Sequence, residues 1–427
     1  MKVWLIQRSE PTPHDNGGVQ RAMRMGILAQ MLARSGHQVV WWTSTFDHYN
    51  RRHRHEMDMR LSVETGYEIQ YLRGCGYNRN MSLARIRDNV LVARRFTAIA
   101  EKDPDRPDVI LASIPTIELA LAATNYANKR NIPVLLDIRD LWPDVFFDLM
   151  PTVLSPIVRL LSIPMKRNLE RVCKAATGII GLTDAFVDWG VAYAGRERTD
   201  TDRVFPMGYL ADDIPTTRIE EGMRFWRELG VYREPDQLIV AFFGVLGRTN
   251  DLAPVVQAAK LLESRHVPSK IIICGTGENA SEIRKQAQGV NNLLFPGWVT
   301  AEQIGALLRI ADIGVAPYIE SANYINNIPN KPAEYLSGGL AIALSLSKGV
   351  LYDLLVQRGC GFSYENQPEK LADELEFMAS NPSHLKTLQA NALTTFHDLF
   401  DGDAVYTRLI GYLEEIASVE LNAFSGS

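Results

Sequence analysis

Leu238-Ile239-Val240-Ala241-Phe242-Phe243-Gly244-Val245-Leu246-Gly247-Arg248 is an apolar run that stops on two glycines and an arginine. Leu238–Phe243 is strand length, and helical spacing resumes over Leu252–Ser264. The same unit returns downstream. Lys270–Cys274 is a strand that enters Gly275-Thr276-Gly277-Glu278, and Asn279–Gln288 is a helix. Leu293–Phe295 is a short strand, Glu302–Ile310 a helix, Ile313–Ala316 a strand, Pro332–Ser337 a helix and Leu340–Leu344 a strand. From Glu369 the pattern is helical almost to Ile416. Strands alternating with helices in this way predict a parallel sheet covered on both faces.

The first half of the chain has the same rhythm. Strands are expected at Lys2–Ile6, Val39–Trp42, Tyr67–Leu72, Val109–Ala112, Pro133–Ile138 and Gly178–Leu182. Helices are expected at Gly18–Ser35, Leu83–Ala100, Ile117–Arg130 and Ile157–Lys174, with another beginning at Asp184. Between Val204 and Pro235 the pattern loosens and reads as an interdomain link. A chain of 427 residues exceeds what one core usually holds. The expected division is a Rossmann-like domain over 1–205, a second over 206–400, and a C-terminal helix over 401–427 that packs back toward the first domain.

No apolar run approaches the roughly 18–20 residues of a membrane span. Cys75, Cys173, Cys274 and Cys360 lie far apart, which suits reduced thiols and a cytoplasmic protein. The net charge of −5 conceals an asymmetry: residues 1–200 hold 27 Lys and Arg against 22 Asp and Glu, and the remainder holds 18 against 28. The basic half either presents ordinary solvated faces or forms a footprint for an anionic membrane surface or a phosphorylated acceptor. Its arginines lack the aromatic interleaving or zinc spacing of a nucleic-acid binder. His48-Tyr49-Asn50-Arg51-Arg52-His53-Arg54-His55 lacks a carboxylate set for a metal and reads as a mobile basic loop.

Gly17-Gly18 stands between the first strand and the first helix, where backbone amides approach an anion or simply make a turn. Gly244, Gly247 and Arg248, then Gly275 and Gly277, repeat that arrangement at two further strand ends, where open α/β folds bind ligands. Arginine suits bidentate phosphate binding. The most informative stretch is Asn326-Asn327-Ile328-Pro329-Asn330-Lys331-Pro332-Ala333-Glu334-Tyr335-Leu336-Ser337-Gly338-Gly339. Here a polar loop enters a helix whose start holds Lys331, a point charge for phosphate, and Glu334, an acceptor for ribose hydroxyls.

This ordered set resembles the retaining glycosyltransferases of family 4, which have the GT-B fold: two Rossmann-like domains facing each other across a cleft. Leu32–Val39, Ile272–Gly277, Phe295–Val299 and Ala311–Pro317 complete the resemblance. Asp137-Ile138-Arg139-Asp140-Leu141-Trp142-Pro143-Asp144 looks like the branch that builds bacterial O-antigen, capsule or exopolysaccharide. The resemblance implies transfer from a nucleotide sugar, usually a UDP-sugar, to a lipid-linked glycan, without a metal ion or a separate cofactor. The basic N-terminal half would suit a cytoplasmic protein placed peripherally on the inner face of the plasma membrane.

Two departures accompany it. The family has two glutamates eight positions apart; Glu334 matches the second, and Asn326 stands at the first. Arg139 and Asp140 occupy the place of a frequent histidine. Arg248 and Lys331 are the candidates for the diphosphate. Asn326, Asn327 and Asn330 would orient the donor sugar, while Arg139, Asp140 and His14 are the catalytic, acceptor-side candidates. Trp142-Pro143 and Val145-Phe146-Phe147 either cradle a lipid or pack as core. A sugar-nucleotide epimerase and a catalytically silent subunit would share the fold; the first would turn over donor without acceptor, and the second would not turn over at all.

Overall fold

The computed structural model describes residues 1–15, 22–79, 82–145, 155–211 and 214–424. They form two compact units, Met1–Phe205 with Tyr406–Ser427, and Pro206–Val405.

In the first unit the chain runs β1 (Lys2–Ile6), α1 (Arg24–Arg34), β2 (Gln38–Ser44), β3 (Phe46–Asp47), β4 (Arg52–His53), β5 (Met59–Ser62), β6 (Glu68–Leu72) and α2 (Leu83–Ala100). It continues through β7 (Val109–Ile114), α3 (Ile117–Asn128), β8 (Val134–Ile138), α4 (Ser155–Ala175), β9 (Gly178–Gly181), α5 (Asp184–Ala194) and β10 (Arg203–Val204). Eight strands form one sheet in the order β10-β9-β8-β7-β1-β2-β6-β5. Every pairing is parallel except that of the edge strand β5 with β6. The central strands carry apolar side chains on both faces because helices cover both. Trp4 on β1 meets Trp42 at 4.7 Å and Tyr126 at 5.1 Å between ring centroids.

The second unit comprises α6 (Thr216–Glu228), β11 (Leu238–Phe243), α7 (Ala253–Ser264), β12 (Ser269–Cys274), α8 (Ala280–Gln286), β13 (Leu293–Gly297), α9 (Ala301–Ile310) and β14 (Ile313–Ala316). Then follow α10 (Ala322–Ile325), α11 (Asn330–Ser337), β15 (Ala341–Leu344), α12 (Val350–Arg358), β16 (Gly361–Ser363), α13 (Pro368–Ser380) and α14 (Pro382–Leu399). The sheet order is β13-β12-β11-β14-β15-β16, parallel throughout. The period of two splits β11 between two cores. Ile239, Ala241 and Phe243 join the side chains of α6, α9 and α11, while Leu238, Val240 and Phe242 join those of α7, α8 and α13. The final helix, α15 (Gly402–Phe424), begins in this unit, and from Tyr406 it belongs to the first. There Arg203 pairs bidentately with Glu415 at 2.7 and 2.8 Å, and Tyr412 donates to the Thr201 carbonyl at 2.7 Å.

Three expectations need correction. The Val204–Pro235 stretch is not merely a link, because it contains α6. That helix has a narrow apolar stripe of Ile219, Gly222 and Trp226, and Gly222 lies close against the Glu302 carbonyl of α9. Trp226 is fully buried and donates from Nε1 to the Gln303 carbonyl at 2.7 Å. The basic stretch 48–55 includes strand β4, paired with β3, and it is pinned rather than loose. Arg54 bonds Asp15 at 2.6 Å, His48 bonds Tyr77 at 2.6 Å, and His53 bonds Thr45 at 3.1 Å. The first helix begins at Arg24, and the residues expected to start it at Gly18 lie outside those described.

Replacing Trp226 with Ala should destabilise the second unit by about 3–5 kcal/mol, the usual cost of emptying a buried aromatic position. Chemical denaturation followed by circular dichroism measures this. A change within about 0.5 kcal/mol would restore the linker reading.

Candidate functional site

In the second unit the strand order reverses at the β11–β14 neighbours, so the connections from these two strands leave in opposite directions. Such a switch point opens a crevice beyond the carboxyl ends of the strands. The turn after β11 is tied to the turn after β12: Gly244 donates to the Cys274 carbonyl at 3.1 Å, and Leu246 to Thr276 at 2.9 Å. Gly244 has φ +152°, and a Cβ there would lie 2.4 Å from Cε of Lys331. Close approach of the lysine therefore requires glycine at this position.

Helix α11 is laid against the sheet by its own aromatic residue. A Cβ on Gly314 would fall 2.3 Å from the Tyr335 ring, so the bare strand lets that ring lie on β14. The Tyr335 hydroxyl donates to the Val315 carbonyl at 3.1 Å, and its ring meets Phe243 edge-on at 5.0 Å. Lys331 precedes Tyr335 by four residues and so shares its helical face. This brings the Lys331 ammonium 5.6 Å from the centroid of Phe242 and 5.6 Å from that of Tyr318. Among the described residues it makes no hydrogen bond and no ion pair. Burial pulls its pKa below the ordinary lysine value, against the opposing field of Glu334.

Other candidates are arranged less uniformly. Glu334 is buried one turn into α11. The Asn327 side chain is also buried, and its Oδ1 has no hydrogen-bond partner among the described residues. Asn326 closes α10 and bonds the Ala322 carbonyl at 2.9 Å, while Asn330 is exposed at the start of α11. Arg248 is solvent-exposed and pairs with Glu278 at 3.3 Å. Gly247 accepts from the Asn250 amide at 3.2 Å, and Gly277 follows the β12 turn.

In the first unit Arg139 and Asp140 directly follow β8, while His14 stands in the segment after β1, against Tyr71 of β6. Glu10 holds Arg139 in place: Oε1 bonds Arg139, and Oε2 accepts the Met25 amide at 2.9 Å. His14 bonds the Tyr71 hydroxyl at 2.9 Å, which in turn donates to Thr12 at 2.8 Å. Burial pushes the Asp140 carboxyl up to about 6, despite hydrogen bonds from Leu141 and Trp142 and the charge of Arg85. Arg85 lies over the Trp142 ring at 4.4 Å. Gly17, Gly18, Phe146 and Phe147 lie outside the described residues. Among these residues there is no group of three His, Cys, Asp or Glu side chains that could hold a metal ion.

The sequence singles out Lys331 and Glu334 by the polar loop that enters α11, and both stand in the first half of that helix. The sequence does not single out Phe242 and Tyr318, whose rings stand beside Lys331, since an aromatic residue in or beside a strand reads as ordinary core. Nor does it single out the buried network in which Arg8 binds Asp88 and Asn89, for its members lie about 80 residues apart.

Two outcomes follow from this geometry. A Gly244→Ala variant should force the Lys331 stem aside and destabilise the second unit by about 1–3 kcal/mol; chemical denaturation reads this, and unchanged stability would contradict the close approach. For Asp140 the folded-state pKa lies above the unfolded one. Its contribution to stability is therefore greatest below about pH 3.8 and is lost as pH rises through about 6. Asp140→Asn should consequently gain melting temperature relative to wild type between pH 4 and pH 7, whereas parallel melting curves would refute the raised pKa.

The model of the family "Glycosyl transferases group 1" matches residues 227–395, within the second unit. No curated protein matches the chain. Among solved structures, Anabaena HepE in complex with UDP is 14% identical with a TM-score of 0.65, over 97% of this chain and 99% of that one. Sucrose-phosphate synthase from Thermosynechococcus elongatus is 13% identical with a TM-score of 0.67, over the whole of both chains. The α,α-trehalose 6-phosphate synthase of Burkholderia multivorans is 13% identical with a TM-score of 0.67, over 98% of this chain and 99% of that one. The fold is therefore GT-B, with two Rossmann-like domains, and the chain, carrying a group 1 glycosyltransferase domain over residues 227–395, is a glycosyltransferase.

Proposed function

We propose that this enzyme is a retaining transferase of the family 4 type that moves a sugar from a UDP-sugar to a lipid-linked glycan during synthesis of a bacterial surface polysaccharide. The observation that carries the donor half is the Lys331 ammonium, partly buried at a switch point without a carboxylate or hydrogen-bond partner among the described residues. A desolvated cation without a counter-ion costs several kcal/mol, and a diphosphate would supply the missing charge. The structures of Anabaena HepE with UDP and with UDP-glucose support uridine nucleotides as the donor class.

In this reading Lys331, with Arg248 and the turn amides around Gly244, Gly247, Gly275 and Gly277, neutralises the departing UDP. Glu334 accepts hydrogen bonds from the ribose, and Asn326, Asn327 and Asn330 orient the donor sugar. The anomeric carbon–phosphate oxygen bond breaks, and the acceptor oxygen bonds to the same face of the sugar. The acceptor proton passes to the departing phosphate oxygen, so no separate cofactor or metal ion is required.

The acceptor half rests on the likeness of Asp137–Asp144 to the surface-polysaccharide branch and on the basic excess of residues 1–200. Arg139, Asp140 and His14 face the acceptor in this reading. Exposed Arg51, Arg52, Arg87 and Arg94 suit docking from the cytoplasm onto an anionic membrane surface. No helix among the described residues is long and apolar enough to cross a membrane.

Lys331→Met keeps the length of the side chain and removes its charge. It should weaken UDP binding about 10- to 100-fold in titration calorimetry, while the ligand-free melting temperature holds or rises. Undiminished UDP affinity would overturn the donor assignment. Mass spectrometry of wild-type enzyme with UDP-sugars and polyprenyl-diphosphate-linked glycans should show sugar added only when both are present; acceptor-free isomerisation of the donor would overturn the transferase reading.

A further inference from the structure

We propose that Phe242 and Tyr318 are positioning residues for the donor, acting through Lys331: their ring faces hold the ammonium where a carboxylate would otherwise be needed. This rests on the assignment of Lys331 to the donor diphosphate. The two rings arrive from the two strands that define the switch point. Phe242 is the penultimate residue of β11, and Tyr318 lies two residues past β14. Both are buried, and each centroid stands 5.6 Å from Nζ. That distance lies within the range at which the negative face of an aromatic ring attracts a cation, and desolvation strengthens the attraction.

The arrangement of Tyr318 fits a wall rather than a hydrogen-bonding residue. Its hydroxyl is buried and has no partner among the described residues. Its ring stacks on Tyr324 at 4.7 Å and 13°, which fixes its orientation. Its carbonyl accepts from Ser345 Oγ at 2.6 Å, and the next amide, that of Ile319, donates to Thr249 at 3.3 Å. Backbone and ring are thus both held while the hydroxyl is not. Phe242 is held within the core formed with α7, α8 and α13.

This device has a chemical consequence. A carboxylate partner would satisfy the ammonium but would compete with, and repel, an incoming diphosphate. Aromatic faces stabilise the cation without carrying a formal charge, so the ammonium keeps its three donors for the phosphate oxygens. Glu334 is the charged group of α11 whose field reaches Lys331, and it acts in the opposite sense to burial.

The test is a double-mutant cycle on UDP affinity in the full-length enzyme, with uridine as the uncharged control. Tyr318→Phe keeps the ring and should leave UDP binding within about twofold. Tyr318→Leu and Phe242→Leu should each weaken UDP binding about 3- to 30-fold while leaving uridine binding unchanged. In a Lys331→Met background neither leucine variant should weaken it further. Equal losses with and without Lys331, or a loss shared by uridine, would overturn the proposal as merely structural. Should Tyr318→Leu not fold, Phe242→Leu and Tyr318→Phe carry the cycle. If Lys331→Met itself leaves UDP affinity intact, the donor assignment fails; if it weakens UDP while the leucine variants do not, only the positioning role fails.

Discussion

A lysine ammonium withdrawn from water without an opposing carboxylate is an uncomfortable object for a folded protein, and the second unit is arranged around one. Its solvation loss is met by two aromatic faces, which recover part of the cost and leave the charge uncommitted. Burial lowers the affinity of Lys331 for its proton, while Glu334 acts to retain it. In the proposed reading this is preorganisation for a diphosphate: the cation is already desolvated and aimed when the donor arrives.

The position of that charge follows from strand chemistry. Alternation along β11 sends Phe243 to one core and Phe242 to the other. On β14 the same bareness that makes Gly314 a weak strand residue admits the Tyr335 ring, and Tyr335 fixes the depth of α11 on the sheet. One turn earlier on that face stands Lys331. Gly244 then lets its stem pass close to the β11 turn. A chain of local choices, each small, thus sets one nitrogen at the point where the strand order reverses. The first unit handles its charges differently. Arg24 with Asp137, Arg54 with Asp15 and Arg8 with Asp88 are ion pairs made largely away from solvent. These pairs are committed to the fold, whereas the ammonium of the second unit is not.

Much of this was legible in the sequence. Apolar runs such as Leu238–Phe243 and Lys270–Cys274, each ending on glycine, announce buried parallel strands, and the polar entry to α11 announces Lys331 and Glu334. Helix α6 was illegible because Ile219, Gly222 and Trp226 make too thin a stripe to stand out among charged neighbours. The hairpin of β3 and β4 was illegible because its cohesion comes from distant partners: Asp15 for Arg54 and Tyr77 for His48. For the same reason the roles of Phe242 and Tyr318 appear only in three dimensions, since periodicity cannot tell a ring that fills a core from a ring that faces a cation.

A structure of the enzyme with UDP tests the central claim most directly. The account expects the Lys331 ammonium within hydrogen-bonding distance of a diphosphate oxygen, with the Phe242 and Tyr318 rings still flanking it. A nucleotide bound with its phosphates away from Lys331, and that ammonium still between the two rings, would contradict it.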